Sequence, residues 1–101
     1  MSMAIHLASA DLRGECEAVL RSLPRWFGIE DALQAYVQAT QRWPTLLWRA
    51  DHQDPASPVQ GFVTLQPHFA QAWEMHCLAV HAQHRGQGAG RGLVAAAEAF
   101  V

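Results

Sequence analysis

Four glycines alternate with other residues along Arg85-Gly86-Gln87-Gly88-Ala89-Gly90-Arg91-Gly92. Glycine lets the backbone turn sharply and lets a ligand come close to the main chain, so successive amide N–H groups can converge on an anion. Where such a turn opens a helix, the unpaired N–H groups of the first helical turn add to the same field. Phosphate oxygens suit a cradle of this kind. Arg85 and Arg91 flank it and can add bidentate, charge-assisted contacts. Two phosphate-binding templates fail on the letters. A P-loop needs a lysine after its last glycine, and all seven cations here are arginines. A dinucleotide fingerprint begun at Gly86 would need glycine at Arg91, and begun at Gly88 it would need glycine at Leu93. The plain alternative is a tight turn that binds nothing. His76, Cys77, His81 and His84 gather imidazoles and a thiol within nine residues. Their spacing fits no standard zinc pattern, so no metal is expected.

The elements that must position this turn follow from periodicity and breakers. Residues 3–7 read as a short strand leading to a helix capped near Ser9. Leu12, Cys16, Val19, Leu20 and Leu23 recur at helical spacing until Pro24 ends the run and Gly28 breaks the chain. A second helix starts near Glu30, carries Ile29, Leu33, Tyr36 and Val37 on one face, and closes at Pro44. Residues 45–50 and 60–65 are β-prone runs joined by a polar turn rich in Asp, Pro and Ser, and residues 72–80 form a third run, which together predict an antiparallel meander. A helix from residue 90 onward carries Leu93, Ala97 and Phe100 on one face and reaches Val101 without a C-cap residue. That end reads as the middle of an element, in a domain whose following strand is missing.

Composition bounds what such a chain can be. With 101 residues, half of them hydrophobic and 16% charged, it is long enough for one small domain over residues 1–101. The net charge of −2 and the scatter of the arginines give no electrostatic case for nucleic acid. No stretch has membrane-spanning length, and the N-terminus lacks the charged flank and apolar run of a signal peptide. Two cysteines are too few for a disulfide framework, so a cytoplasmic setting is the expectation.

The run Arg85-Gly86-Gln87-Gly88-Ala89-Gly90 satisfies every fixed position of the Q/R-x-x-G-x-G/A pattern of the GNAT superfamily of N-acetyltransferases. The resemblance extends further. Leu78-Ala79-Val80 resembles the end of that family's fourth strand, the step from Val80 to Arg85 has the family's spacing, and Gly61-Phe62 resembles a pair common in its third strand. The element order agrees too: strand, two helices, a three-strand meander, glycine turn, helix. The resemblance therefore implies an α+β fold of GNAT type, truncated, with a mostly antiparallel meander and without its C-terminal strands. It implies an acetyl-CoA-dependent transferase that acts by direct attack of a primary amine of unknown identity, without a metal.

By the same resemblance the cofactor contacts fall on the main chain of Leu78, Ala79 and Val80 for the pantetheine arm and on Arg85, Gly86, Gln87, Gly88, Ala89, Gly90 and Arg91 for the diphosphate. The carbonyl-polarising N–H maps to Leu78, where it would stabilise the oxyanion. The amine needs a base. Glu74, four residues before Leu78, has the spacing of the base in histone acetyltransferases of the superfamily, and His76 is the alternate. In an unbroken strand Glu74, His76 and Leu78 share one face. The bland reading makes Glu74 and His76 solvated strand positions. The family's general acid has no counterpart, because the one tyrosine, Tyr36, lies on the second helix's apolar stripe. The segment of residues 24–28 corresponds to the region that shapes acceptor sites. An acidic residue at Gly88 is expected to expel the anion without unfolding the chain. The alternative function is an inactive GNAT-like half that binds coenzyme A or pairs through its exposed sheet edge as a homodimer.

Overall fold

The computed structural model describes residues 5–51, 53, 54, 56–69 and 72–101. Residues 3 and 4 of the expected first strand, and residues 52, 55, 70 and 71 of the expected turns, lie outside them. The elements are β1 (Ile5–Leu7), α1 (Arg13–Arg21), α2 (Pro24–Phe27), α3 (Glu30–Arg42), β2 (Thr45–Arg49), β3 (Val59–Pro67), β4 (Trp73–Val80) and α4 (Ala89–Phe100), with a 3₁₀ turn, Ala82–His84, between the last two. The expected order holds with one addition. Where the sequence suggested only a break, Pro24 stands at the first position of a helical turn, its fixed φ suited to that place.

The start of α1 is a correction. Ser9 does not cap it; the helix begins at Arg13, and the Asp11 carboxylate accepts from the Arg13 backbone N–H at 3.1 Å and from its guanidinium at 2.7 Å. A charged acceptor satisfies an orphan helix-start donor better than a hydroxyl does. The side-chain hydrogen bond to Arg13 holds the Asp11 carboxyl down at about 2. At the other end of α1, Arg21 pairs with Glu17 and with Glu30, each at 2.7 Å, linking α1 to α3 across the surface.

The strands form one antiparallel sheet in the order β1-β2-β3-β4, so β4 is an edge strand. Alternation sends Leu47, Phe62, Cys77 and Ala79 to one face, against Cys16, Val19 and Leu20 of α1 and Leu33 and Val37 of α3. Leu46, Val63 and Leu65 go to the other face, against Leu93 and Ala97 of α4. Fully burying a Phe or Leu side chain contributes about 1.5–3 kcal/mol, so these two layers are what fixes the sheet between its helices. Gly61 permits the second layer: a Cβ there would stand 3.1 Å from the Ala79 carbonyl oxygen and 3.3 Å from Leu93.

The hairpin from β2 to β3 is pinned by a buried cation. Arg49, 7% exposed, donates to the Ser57 carbonyl at 2.6 Å and lies 3.5 Å from Glu15. Cys16 and Cys77 are both free and buried, and burial pushes each thiol up to about 12. Buried thiols raised in this way are poor nucleophiles. Among the described residues, no helix is long and apolar enough to cross a membrane, and no group of three or more His, Cys, Asp and Glu is placed to hold a metal ion.

Candidate active site: a cleft between the β4 edge and the glycine turn

Hydrogen-bond alternation decides which main-chain groups of β4 are free. His81 N–H donates to Gln60 O at 2.8 Å, so His81 and Gln60 are a hydrogen-bonded pair of the ladder. In an antiparallel pair such positions alternate. With Val80 opposite Gly61, Ala79 opposite Phe62 and Leu78 opposite Val63, the bonds to β3 fall on Ala79. Leu78 and Val80 turn their N–H and C=O groups to the open edge. This corrects the expectation for the main chain of Ala79, whose N–H and C=O are directed to β3 and not to the open edge.

The register breaks between Thr64 and Leu65: Thr64 faces Cys77, but Leu65 faces Met75, leaving His76 as an extra residue in β4. A bulge of this kind shifts the phase of the side chains. Glu74, opposite Gln66, and His76, packed on α3, therefore share the face of α1 and α3. Leu78, opposite Val63, takes the face of α4. The expectation that all three share one face is corrected.

Past β4 the chain makes its 3₁₀ turn, where His81 Nδ1 accepts from Gln83 N–H at 3.1 Å, and then turns on two glycines with positive φ, Gly86 at 82° and Gly88 at 81°. Side chains other than glycine rarely adopt that conformation. An acidic substitution at Gly88 would consequently strain the turn, which corrects the expectation that it leaves the fold intact. The first helical bond of α4 runs from Gly92 N–H to Gly88 O at 3.1 Å. Among the described residues no protein acceptor takes the N–H groups of residues 86–91. They are the orphan donors of a helix start and the turn before it, gathered at the positive end of the α4 dipole.

The free edge and the free turn meet in one cleft of about 390 Å³, lined by Leu23, Trp26, Phe27, Leu78, Ala79, Val80, His84, Arg85, Gly86, Gly88, Ala89 and Gly90. Of the expected cofactor positions, Gln87 and Arg91 are exposed and stand outside this lining. Leu23, Phe27 and His84 line it without having been singled out for it. Leu23 carries no signal beyond its place on an apolar stripe, and Phe27 and Trp26 belong to the segment expected near the acceptor.

The two base candidates part company. Glu74 is exposed at the far end of β4, its carboxylate 3.1 Å from His68 Nε2. His76 is half-buried among rings, 5.3 Å from Tyr36 and 4.9 Å from Trp43 between centroids, and Tyr36 in turn meets Phe27 edge-on at 5.6 Å. A row of rings thus runs from the cleft wall to His76. Tyr36 is spent in that row. On the order of 10 Å of strand separates Glu74 from Leu78.

A helix N-terminus with unpaired amides stands at the end of an open strand edge inside an apolar-walled cleft, an arrangement whose chemistry suits an extended ligand with an anionic end. The sequence profile of the acetyltransferase (GNAT) domain family matches residues 44–101, and the chain belongs to that family. An acyl-transfer fold is thereby assigned, in a family that uses acetyl-CoA. Among solved structures, the chain is similar to that of an acetyltransferase of the GNAT family from Desulfovibrio desulfuricans, with a TM-score of 0.67 at 15% identity, over 93% of this chain and 63% of that one. At that identity the likeness is one of fold. The chain thus spans less than two thirds of that structure's length. No curated protein sequence matches it.

Proposed function

We propose that the chain binds acetyl-CoA and transfers its acetyl group to a primary amine by direct attack. The observation that carries this reading is the set of unpaired amides at Gly86, Gly88, Ala89 and Gly90 opening on the same cleft as the free edge of β4. A diphosphate takes up the first; an extended pantetheine arm pairs with the second, as an added strand would. The bound thioester supplies an activated acyl carbonyl; the bond from the amine nitrogen to that carbon forms as the C–S bond breaks, and coenzyme A leaves as a thiolate that takes its proton from water. The Leu78 N–H, directed to the edge, donates to the carbonyl oxygen as negative charge develops there. His76 takes the proton from the amine, directly or through water, since it is two residues from Leu78 in β4 where Glu74 is four, and it is joined to the cleft wall through Tyr36 and Phe27.

Isothermal titration with acetyl-CoA, followed by thiol release against a panel of amines, tests the reading. Saturable binding and amine-dependent release are expected, and the buried protein thiols will not contribute to the signal. A chain that binds no acetyl-CoA refutes it. For the proton step, His76→Gln is expected to lower kcat/KM by about 10²-fold or more, whereas Glu74→Gln changes little. The reverse pattern would return the role to Glu74.

A second reading has one observation in its favour. Trp73, Met75, Leu78, Phe100 and Val101 are exposed along β4 and the end of α4, with Trp73 and Phe100 stacked edge to face at 5.9 Å. An apolar row beside a free strand edge suits pairing with a second copy. Light scattering that gives a dimer, together with a silent titration, would favour this reading over the enzyme.

A further inference from the structure

Trp26 is a large aromatic side chain that the core does not explain. It sits on α2, 60% exposed, and lines the cleft. The guanidinium of Arg85 rests over its ring, with Cζ 4.7 Å from the centroid. Such a contact holds a guanidinium by its charge and its flat face and leaves the N–H donors around its edge for oxygen acceptors. No protein acceptor takes those donors among the described residues. Arg85 is therefore fixed by its face and open at its edge, beside the unpaired amides of the turn. A second contact ties the same two segments: Ala82 N–H donates to Ser22 Oγ at 3.0 Å, across sixty positions of sequence. Ser22 and Trp26 bracket the corner between α1 and α2, and Ala82 and Arg85 bracket the turn before the glycines.

We propose that Trp26 is a positioning residue for the diphosphate, holding Arg85 in the place from which it grips the anion. The inference rests on the acetyl-CoA reading above. A long arginine side chain loses rotamer freedom when it binds, and a partner that restricts it beforehand lowers that cost. An aromatic ring supplies the restriction without competing with the phosphate oxygens for the N–H donors, as a carboxylate partner would.

The test is titration of the purified protein with coenzyme A and with pantetheine, which lacks the diphosphate. Trp26→Ala is expected to weaken coenzyme A by about two- to fivefold, the range of an exposed cation–π contact, and to leave pantetheine unchanged. Trp26→Phe should restore most of the affinity. In an Arg85→Ala background, removing Trp26 should cost nothing further, and in kinetics the loss should fall on KM for acetyl-CoA and not on kcat. Equal weakening in the Arg85→Ala background would overturn the proposal, because Trp26 would then act through its own contact. Tighter coenzyme A binding by Trp26→Ala would overturn it as well, since the ring would be competing with the ligand. A wild-type protein that binds no coenzyme A defeats the cofactor reading itself, whereas a wild type that binds and a Trp26→Ala variant of equal affinity defeat this inference alone.

Discussion

Gly90→Glu is expected to abolish coenzyme A binding while the protein melts no earlier than wild type. Gly90 lies in the first turn of α4, has no positive φ, and would have nothing within 4 Å of an added Cβ. Glycine inside a helix costs about 0.5–1 kcal/mol relative to a residue with a side chain, and a carboxylate near a helix N-terminus contributes about 0.3–1 kcal/mol more. The substitution should therefore stabilise α4 slightly. The same carboxylate stands where the anion must sit. Like charges about 4 Å apart at an effective dielectric constant of about 20 repel by roughly 4 kcal/mol, which is on the order of a thousandfold in affinity. Isothermal titration reads the loss and circular dichroism confirms the fold. Unchanged affinity in a folded Gly90→Glu protein would move the anion site away from α4. Gly88→Glu is the poorer experiment, because its left-handed backbone mixes strain with charge.

What the sequence made legible was the part encoded in spacing. The apolar stripe from Leu12 to Leu23, the breakers Pro24, Gly28 and Pro44, and the β-prone runs after Thr45 place the elements to within a few residues, because periodicity and turn chemistry act locally. The glycine turn was legible for the same reason, Gly86 and Gly88 sitting where a positive φ demands them. Three features were not. The bulge at His76 is a property of how β4 registers against β3, and no letter in residues 73–80 announces it. Yet that extra residue decides that Glu74 and Leu78 face opposite sides. The division of labour between Ala79 and Leu78 depends on which pair carries the ladder bonds, which the partner strand sets. Finally, Trp26 and Arg85 are fifty-nine positions apart, and only the docking of α2 beside the turn brings the ring under the guanidinium. In each case the information lies in pairing between segments.

The edge geometry of β4 makes the second large effect testable with a single residue type. Leu78→Pro is expected to lower kcat by about 10²–10³-fold, the cost of removing one oxyanion donor, with the sheet intact and with coenzyme A still bound through its diphosphate. Proline removes one backbone N–H and is tolerated on edge strands where that N–H faces outward. Leu78 meets this condition, since the ladder bonds to β3 fall on its neighbour Ala79. The residue before it, Cys77, is already extended, as a residue preceding proline must be. Ala79→Pro is the control of opposite sign: it deletes a ladder bond inside the buried layer beside Phe62 and should unfold the chain at temperatures where Leu78→Pro stays folded. The two variants differ by one position and by which way an N–H points, so their contrast reads the direction of the amide. Comparing kcat with the calorimetric Kd separates chemistry from binding. A folded Leu78→Pro protein that transfers acetyl at the wild-type rate would remove the Leu78 amide from the mechanism. The polarising donor would then have to come from the other outward N–H of this stretch, on Val80.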